Sequence, residues 1–309
     1  MSSPTDQPRF RILALDGGGA KGFYTIGILE EIEAIAKEPL ANVFELIFGT
    51  STGAILAALL ARGDSMSEIR KQYEAHVPKI MRRRTSWGRS AALKTLANQV
   101  FESAKFDSFK TNVGIVATRW KDERPLIFKT SVEQAHGSKD SFQPGFGCTI
   151  AQALIASCSA YPFFRRPEVL TGKGDRVLAG DGGFCANNPT LYAIADATQA
   201  LKQSYDSLRV LSLGVGSYPE PWSVRRLFKF WPGVPFIQKI LGINTCSMET
   251  LRAILFSRIR SVRISDTFNE PEMATDFLEH DLTKLNRLVQ KGRDSFAKNE
   301  AAIRALLSS

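Results

Sequence analysis

Residues 10–22 read FRILALDGGGAKG and residues 43–53 read VFELIFGTSTG. Each is a β-rich apolar run that stops at a glycine loop. Behind the first loop, Tyr24, Ile28, Ile32 and Ile35 recur at helical spacing within residues 23–37. Behind the second, an Ala/Leu-rich stretch runs to Ala61. Two such strand–loop–helix units in succession predict a parallel sheet with helical crossovers, because parallel neighbours cannot be joined by a tight hairpin.

The remainder of the chain extends the pattern. Residues 43–48, 112–117, 126–130, 176–179 and 209–214 read as strands, and 149–157 as a buried helix. Pro189 stands where a proline opens a helix, which runs to about residue 202. From residue 270 the chain reads as helices, with Phe296, Ala297, Ile303 and Leu306 facing inward. Nothing repeats at a fixed period, which argues against a solenoid. The expected layout is one α/β domain: a tail at 1–9, a core at 10–215 and a basic, helical elaboration at 216–309 packed on the same domain.

The 309 residues are 44% hydrophobic and 23% charged, enough for a sizeable core without staples. Cys148, Cys158, Cys185 and Cys246 form no C-x-x-C pair, which argues against a disulfide framework and a zinc site and for a reducing cytosol. The opening MSSPTDQPRFR has no apolar signal core. The longest uncharged run, 141–164, is too rich in Gln, Pro, Gly, Ser and Thr to span a bilayer. Contact with a membrane surface stays open.

The net charge of +9 is local. Residues 79–94 hold six basic side chains and no acidic one, and residues 222–263 hold eight basic and one acidic. These stretches together carry +13 and the rest of the chain −4, which points to an anionic partner at particular surfaces.

Gly49-Thr50-Ser51-Thr52-Gly53 fits G-x-S-x-G between a strand and a helix. A sharp turn there exposes the serine oxygen, the glycines relieve crowding, and the helix N-terminus faces developing negative charge. Asp16-Gly17-Gly18-Gly19-Ala20-Lys21-Gly22 leaves several backbone N–H groups free to converge on one anion, as an oxyanion hole or a phosphate cradle. Lys21 either adds positive charge or holds the loop, and Asp16 is expected to accept backbone hydrogen bonds that fix the turn. The loop also satisfies G-x-G-x-x-G, but Glu45 lies inside the second strand rather than at its end, which disfavours a dinucleotide fold. Phe23 and Tyr24 stand where a P-loop needs Lys and Ser/Thr.

A serine nucleophile needs a base. His76, His136 and His280 are the only histidines, and none follows a strand end. Asp181, in Gly180-Asp181-Gly182-Gly183 at the end of an apolar strand, is the better candidate. Its free pKa of ~3.9 makes it a poor base unless it is desolvated. Read alone, it is a turn aspartate. Three glycine loops at strand carboxyl ends let Ser51, Asp181 and the glycine amides form one constellation.

Taken in order, DGGGAKG (16–22), GTSTG (49–53) and DGG (181–183), followed by Asn187-Asn188-Pro189, resemble the patatin-like phospholipase family over about residues 10–215. The resemblance implies a three-layer α/β/α fold with a mostly parallel central sheet. It implies Ser51 as nucleophile and Asp181 as base of a two-residue dyad, with the amides of Gly17, Gly18 and Gly19 as oxyanion hole. Asp16, Lys21, Gly22, Gly49, Gly53, Gly182 and Gly183 take supporting places. The implied reaction is phospholipase A-type hydrolysis of membrane phospholipid through an acyl-enzyme, with no metal and no cofactor.

Within that family the short chain, Lys21 and the basic C-terminal part resemble bacterial effectors of antiphage defence that a cyclic oligonucleotide switches on. The implied partners are phospholipid, a cyclic di- or trinucleotide and further copies in a homo-oligomer. The implied place of action is the cytoplasmic face of the cell membrane.

Residues 222–243 interleave aromatics, aliphatics and cations and read as a lid, a membrane-facing surface or a stacking site for a cyclic dinucleotide, against a core-packed excursion with solvated cations. Residues 79–94 read as a solvated face, or as a site for lipid phosphates or an anionic activator. No helix-turn-helix, zinc-finger or RNP signature is present, so nucleic acid is not an expected partner. The competing class is a catalytically silent nucleotide or phosphate sensor built on residues 16–22, which would keep its ligand affinity without Ser51.

Overall fold

The computed structural model describes residues 9–136, 139, 142–218 and 233–308. In chain order its main elements are β1 (Phe10–Leu15), α1 (Gly22–Ala36), α2 (Leu40–Val43), β2 (Leu46–Thr50), α3 (Thr52–Arg62), α4 (Met66–Met81), α5 (Ser86–Phe101), β3 (Asn112–Arg119) and β4 (Arg124–Lys129). They continue with α6 (Ile150–Ser157), β5 (Glu168–Leu170), β6 (Arg176–Asp181), α7 (Gly183–Ala186), α8 (Thr190–Ala195), β7 (Leu208–Leu213), α9 (Gly233–Leu255), β8 (Arg260–Ile264) and α10 (Leu282–Ser308).

All eight strands join one sheet in the order β5-β6-β3-β2-β1-β7-β8, with β4 beside β3. The run from β3 through β8 is parallel, whereas β4 and β6 are antiparallel to β3. Alternation along the strands sorts side chains to two faces. Leu13, Ile47, Ile115 and Leu211 pack under α1, α3, α6 and α10, while Ile12, Phe48, Val116 and Val210 pack under α8. This is the expected three-layer, mostly parallel architecture.

α10 lies along α1 at close range. A side chain on Gly27 would meet the Val289 carbonyl at 2.1 Å, and one on Gly292 would meet the Tyr24 carbonyl at 2.1 Å, so the two glycines let the backbones touch. Phe296, Ile303 and Leu306 are buried there. Ala297, expected inward, is exposed, because it falls one position past the buried stripe.

Three local expectations shift. The strand expected at 43–48 is β2, and Leu40–Val43 is instead a helical turn after Pro39; a short buried apolar run does not by itself separate strand from helix. β8 was hidden in the stretch 222–263, whose arginines mask its strand pattern. The part of the 222–243 reading that falls on 222–232 lies outside the described residues. Residues 233–243 begin α9, which packs against α7 and α8 at the carboxyl edge of the sheet.

The site depends on one detail of register. β2 pairs with β3 up to Thr50↔Val116, and β6 pairs with the next β3 residues, beginning at Ala117↔Asp181. β4 occupies the other edge of β3 over the same stretch. β2 and β6 therefore meet end to end along one edge of β3, and their carboxyl ends, carrying Ser51 and Asp181, abut.

Candidate active site

Ser51 occupies the turn between β2 and α3 with φ 53° and ψ −121°, a backbone conformation that is strained for a residue with a side chain. Its neighbours make the turn possible. A Cβ on Gly53 would meet the Leu15 carbonyl at 2.2 Å, so glycine is required where α3 starts against the end of β1. The Ser51 N–H donates to Ser157 Oγ at 2.9 Å, and the Ser157 hydroxyl donates to the Val116 carbonyl at 2.6 Å. The bent backbone is thus pinned to β3 through α6, a role that no sequence signal gave to Ser157.

The Ser51 hydroxyl donates to Asp181 Oδ2 at 2.8 Å. Asp181 is 5% exposed, and its other oxygen accepts the Gly183 N–H at 2.7 Å. Thr118 Oγ1 donates to the Asp181 carbonyl at 2.8 Å and fixes the strand end. Burial raises the Asp181 carboxyl to about 7, against the opposing hydrogen bonds from Gly183 and Ser51. The desolvation that a carboxylate base requires is present at this position.

Among the described residues no histidine hydrogen-bonds Ser51 or Asp181. His76 lines the same cavity without bonding to either, His136 Nε2 sits 2.7 Å from Asp196 Oδ1, and His280 is exposed. Cys158 also lines the cavity, but burial and the nearby Asp181 push its thiol well above the usual range, which keeps it neutral.

The glycine loop is held from three sides. Gly17 N–H donates to the Asn187 carbonyl at 3.0 Å, and Asn187 Nδ2 donates back to the Gly17 carbonyl at 3.2 Å. The Gly17 amide, expected among the oxyanion donors, is therefore engaged within the protein. The Ala20 N–H donates to the Phe277 carbonyl at 3.0 Å. Between these anchors, the N–H groups of Gly18 and Gly19 have no hydrogen-bond acceptor among the described residues, and both glycines line the cavity with Ser51 and Asp181.

Among the described residues Asp16 takes none of the backbone hydrogen bonds expected of its side chain. Both its oxygens accept from the Arg263 guanidinium on β8, and Arg263 Nη1 also donates to Ser212 Oγ at 2.8 Å. The pair is buried, with Asp16 2% exposed. Burial raises the Asp16 carboxyl and the Arg263 charge opposes that rise. Lys21 holds the loop, donating to the Gly216 carbonyl at 3.2 Å, and burial lowers its ammonium.

Ser51 opens onto a cavity with about 1080 Å³ of atom-free space, part of it open to solvent. Apart from the loops that carry Gly18, Gly19, Ser51 and Asp181 its walls are largely apolar: Ile55 and Leu59 of α3, Val77 and Ile80 of α4, and Leu93 and Val100 of α5. In sequence α4 and α5 show mainly charge, yet their inner faces build the wall. Residues 79–94, the first basic run, cross from α4 into α5 with Arg82, Arg83 and Arg84 exposed.

A serine on a strained strand-to-helix turn, an acid partner without histidine and an apolar cavity beside them are the attributes of a lipid acyl hydrolase. Residues 13–194 match the family model described as Patatin-like phospholipase, and the chain belongs to that family. Among its relatives, a cUMP-AMP-activated phospholipase of Escherichia coli is 56% identical over 96% of this chain and 93% of that protein. A cGAMP-activated phospholipase of Pseudomonas aeruginosa is 29% identical over 98% of this chain and 90% of the other. The structure of VipD from Legionella pneumophila superposes with a TM-score of 0.52 at 12% identity, covering 98% of this chain and 67% of VipD, a likeness of fold alone.

Proposed function

We propose that this protein hydrolyses fatty-acyl esters of phospholipid with Ser51 as nucleophile and Asp181 as base, and that a cyclic dinucleotide switches it on. The observation that carries the catalytic reading is the 2.8 Å hydrogen bond from Ser51 to a buried Asp181 at an acyl-sized apolar cavity. Ser51 Oγ attacks the ester carbonyl as its proton passes to Asp181 Oδ2. The tetrahedral oxyanion is received by the Gly18 and Gly19 N–H groups. Collapse expels the lysolipid alkoxide, which takes the proton from Asp181 and leaves an acyl-serine. Water then gives its proton to Asp181 and attacks the acyl-serine. Fatty acid departs as Ser51 regains a proton. A missing oxyanion donor would cost ~10²–10³ in rate.

The sign of the pH dependence follows from the base. Asp181 must be ionised to accept the Ser51 proton, and its pKa is about 7. kcat/KM is expected to be flat above that value and to fall about tenfold per unit below it. A profile of ester hydrolysis at constant ionic strength checks this; activity that persists undiminished to pH 5 would assign the base elsewhere.

The activator reading rests on the 56% identical relative, whose name specifies cUMP-AMP. The expected result is fatty-acid release from phospholipid vesicles with cUMP-AMP, and little or none alone or with unrelated cyclic nucleotides. Full activity without nucleotide would discard the switch and keep the enzyme. Assembly into a homo-oligomer and action at the inner face of the cell membrane belong to the same reading. Among the described residues no helix is long and apolar enough to cross a membrane.

A further inference from the structure

Six of the twelve large hydrophobic side chains exposed among the described residues lie on α9: Phe236, Ile240, Ile243, Leu251, Ile254 and Leu255. Phe236, Ile243, Ile254 and Leu255 are each 62–67% exposed, which a solvated helix does not need. The face opposite Phe236, Ile243 and Ile254 belongs to the active site, while Ile240 and Leu251 lie on the flank and Leu255 closes the helix about five turns beyond Ile237. Ile237 and Leu241 line the cavity that holds Ser51. Asn244 Oδ1 accepts the Asn187 N–H at 3.0 Å, and Thr245 Oγ1 accepts from Asn187 Nδ2 at 2.8 Å. α9 is thus one helix thick between the acyl cavity and solvent, apolar on both sides.

The charges select the partner. From residue 233 to 264 every exposed charged side chain is basic: Lys239, Arg258 and Arg260. Glu249, the one acid in that stretch, is half-buried and engaged by Arg252 at 2.7 Å. An apolar stripe whose own segment exposes only cations fits an anionic bilayer, where aliphatic side chains enter the acyl boundary and cations meet lipid phosphates. A second copy of the same face would bring like charges together.

We infer that the outer face of α9 is the membrane-docking surface of this protein, seating the cavity mouth at the head-group level of an anionic bilayer. This rests on the phospholipid-hydrolase reading and adds to it the surface through which substrate is reached. An acyl chain leaving the bilayer beside α9 passes from one apolar face of the helix to the other, with little exposure to water.

The test separates docking from chemistry. Flotation of the Ser51→Ala protein with phosphatidylcholine vesicles, with and without about one-third phosphatidylglycerol, reads binding without hydrolysis. Docking is expected on the anionic vesicles, weakened by high salt. The variant Ile243→Ser/Ile254→Ser/Leu255→Ser in the same background is expected to partition at least about tenfold more weakly. In the Ser51 background that triple variant should hydrolyse a soluble short-chain ester at the parental rate, with cUMP-AMP present, while losing vesicle hydrolysis. Equal flotation of triple variant and parent would overturn the inference. So would unchanged flotation with a smaller oligomer, which would make the face a contact between copies. Loss of soluble-ester hydrolysis together with vesicle hydrolysis would also overturn it, since α9 would then serve the catalytic loops alone. If the parent hydrolyses neither ester while Ser51→Ala still floats, the hydrolase reading fails and the docking surface stands.

Discussion

Ser51→Ala is expected to reduce fatty-acid release by about 10⁴–10⁶-fold, to the level of uncatalysed hydrolysis plus whatever the oxyanion donors contribute. Cys158 and Ser157, the neighbouring thiol and hydroxyl, are not placed to take over. Cys158 is held as a neutral thiol by burial, and Ser157 spends its hydroxyl on the Val116 carbonyl. Asp181→Asn is expected to lose ~10⁴-fold, because the amide keeps the shape but cannot accept the Ser51 proton. The double variant should be little worse than Ser51→Ala, since the two residues act as one unit. Asp181→Asn should also fold at least as stably as the parent, because it removes a charge from a site whose burial already disfavours ionisation. Fatty-acid release and thermal melting on the same preparations decide the matter. A Ser51→Ala protein that retains a tenth of parental activity would remove Ser51 from the mechanism.

The largest stability effect is expected at a residue distant in sequence from every motif. Arg263→Ala leaves the Asp16 carboxyl, 2% exposed, without its guanidinium partner. Breaking a buried ion pair on one side costs ~3–5 kcal/mol, most of it the penalty of the orphaned charge. Replacing both sides, as Asp16→Asn with Arg263→Met, should recover much of that loss. Urea unfolding of the three proteins measures it. The single variant should lose activity beyond its stability deficit, because Asp16 starts the loop that presents Gly18 and Gly19. An Arg263→Ala protein as stable as the parent would make the pair a bystander.

Residues 10–22 and 43–53 made the parallel sheet legible because hydrophobic runs ending in glycine have few other structural meanings. Ser51 and Asp181 were legible as candidates for the same reason, each at a strand end, and their roles as nucleophile and base came from the family resemblance. What was not legible was how they meet. Nothing in RVLAGD says that β6 runs antiparallel to β3, or that it takes over the edge β2 leaves at Val116. Arg263 was unreadable because its partner lies 247 residues away and it closes a stretch, 222–263, that reads as a run of cations. A charge run is ordinarily a solvated face, and only packing reveals which of its members is turned inward. The glycine loop was legible as a set of donors but not as an assignment. Asn187 engages the Gly17 amide, and that contact requires the tertiary fold.

The bond between Asp16 and Arg263 also orders events in time. Synthesis delivers the glycine loop first and the strand that secures it close to last. A chain still emerging from the ribosome carries Ser51 and Asp181 long before Arg263 exists, and until β8 docks beside β7 the loop lacks one of its anchors. The loop is therefore fully secured only when almost the whole chain has been made, with β8 beside β7 and Phe277 against Ala20. A polypeptide released early, or clipped ahead of residue 263, lacks the guanidinium that Asp16 pairs with and is expected to lose ester hydrolysis.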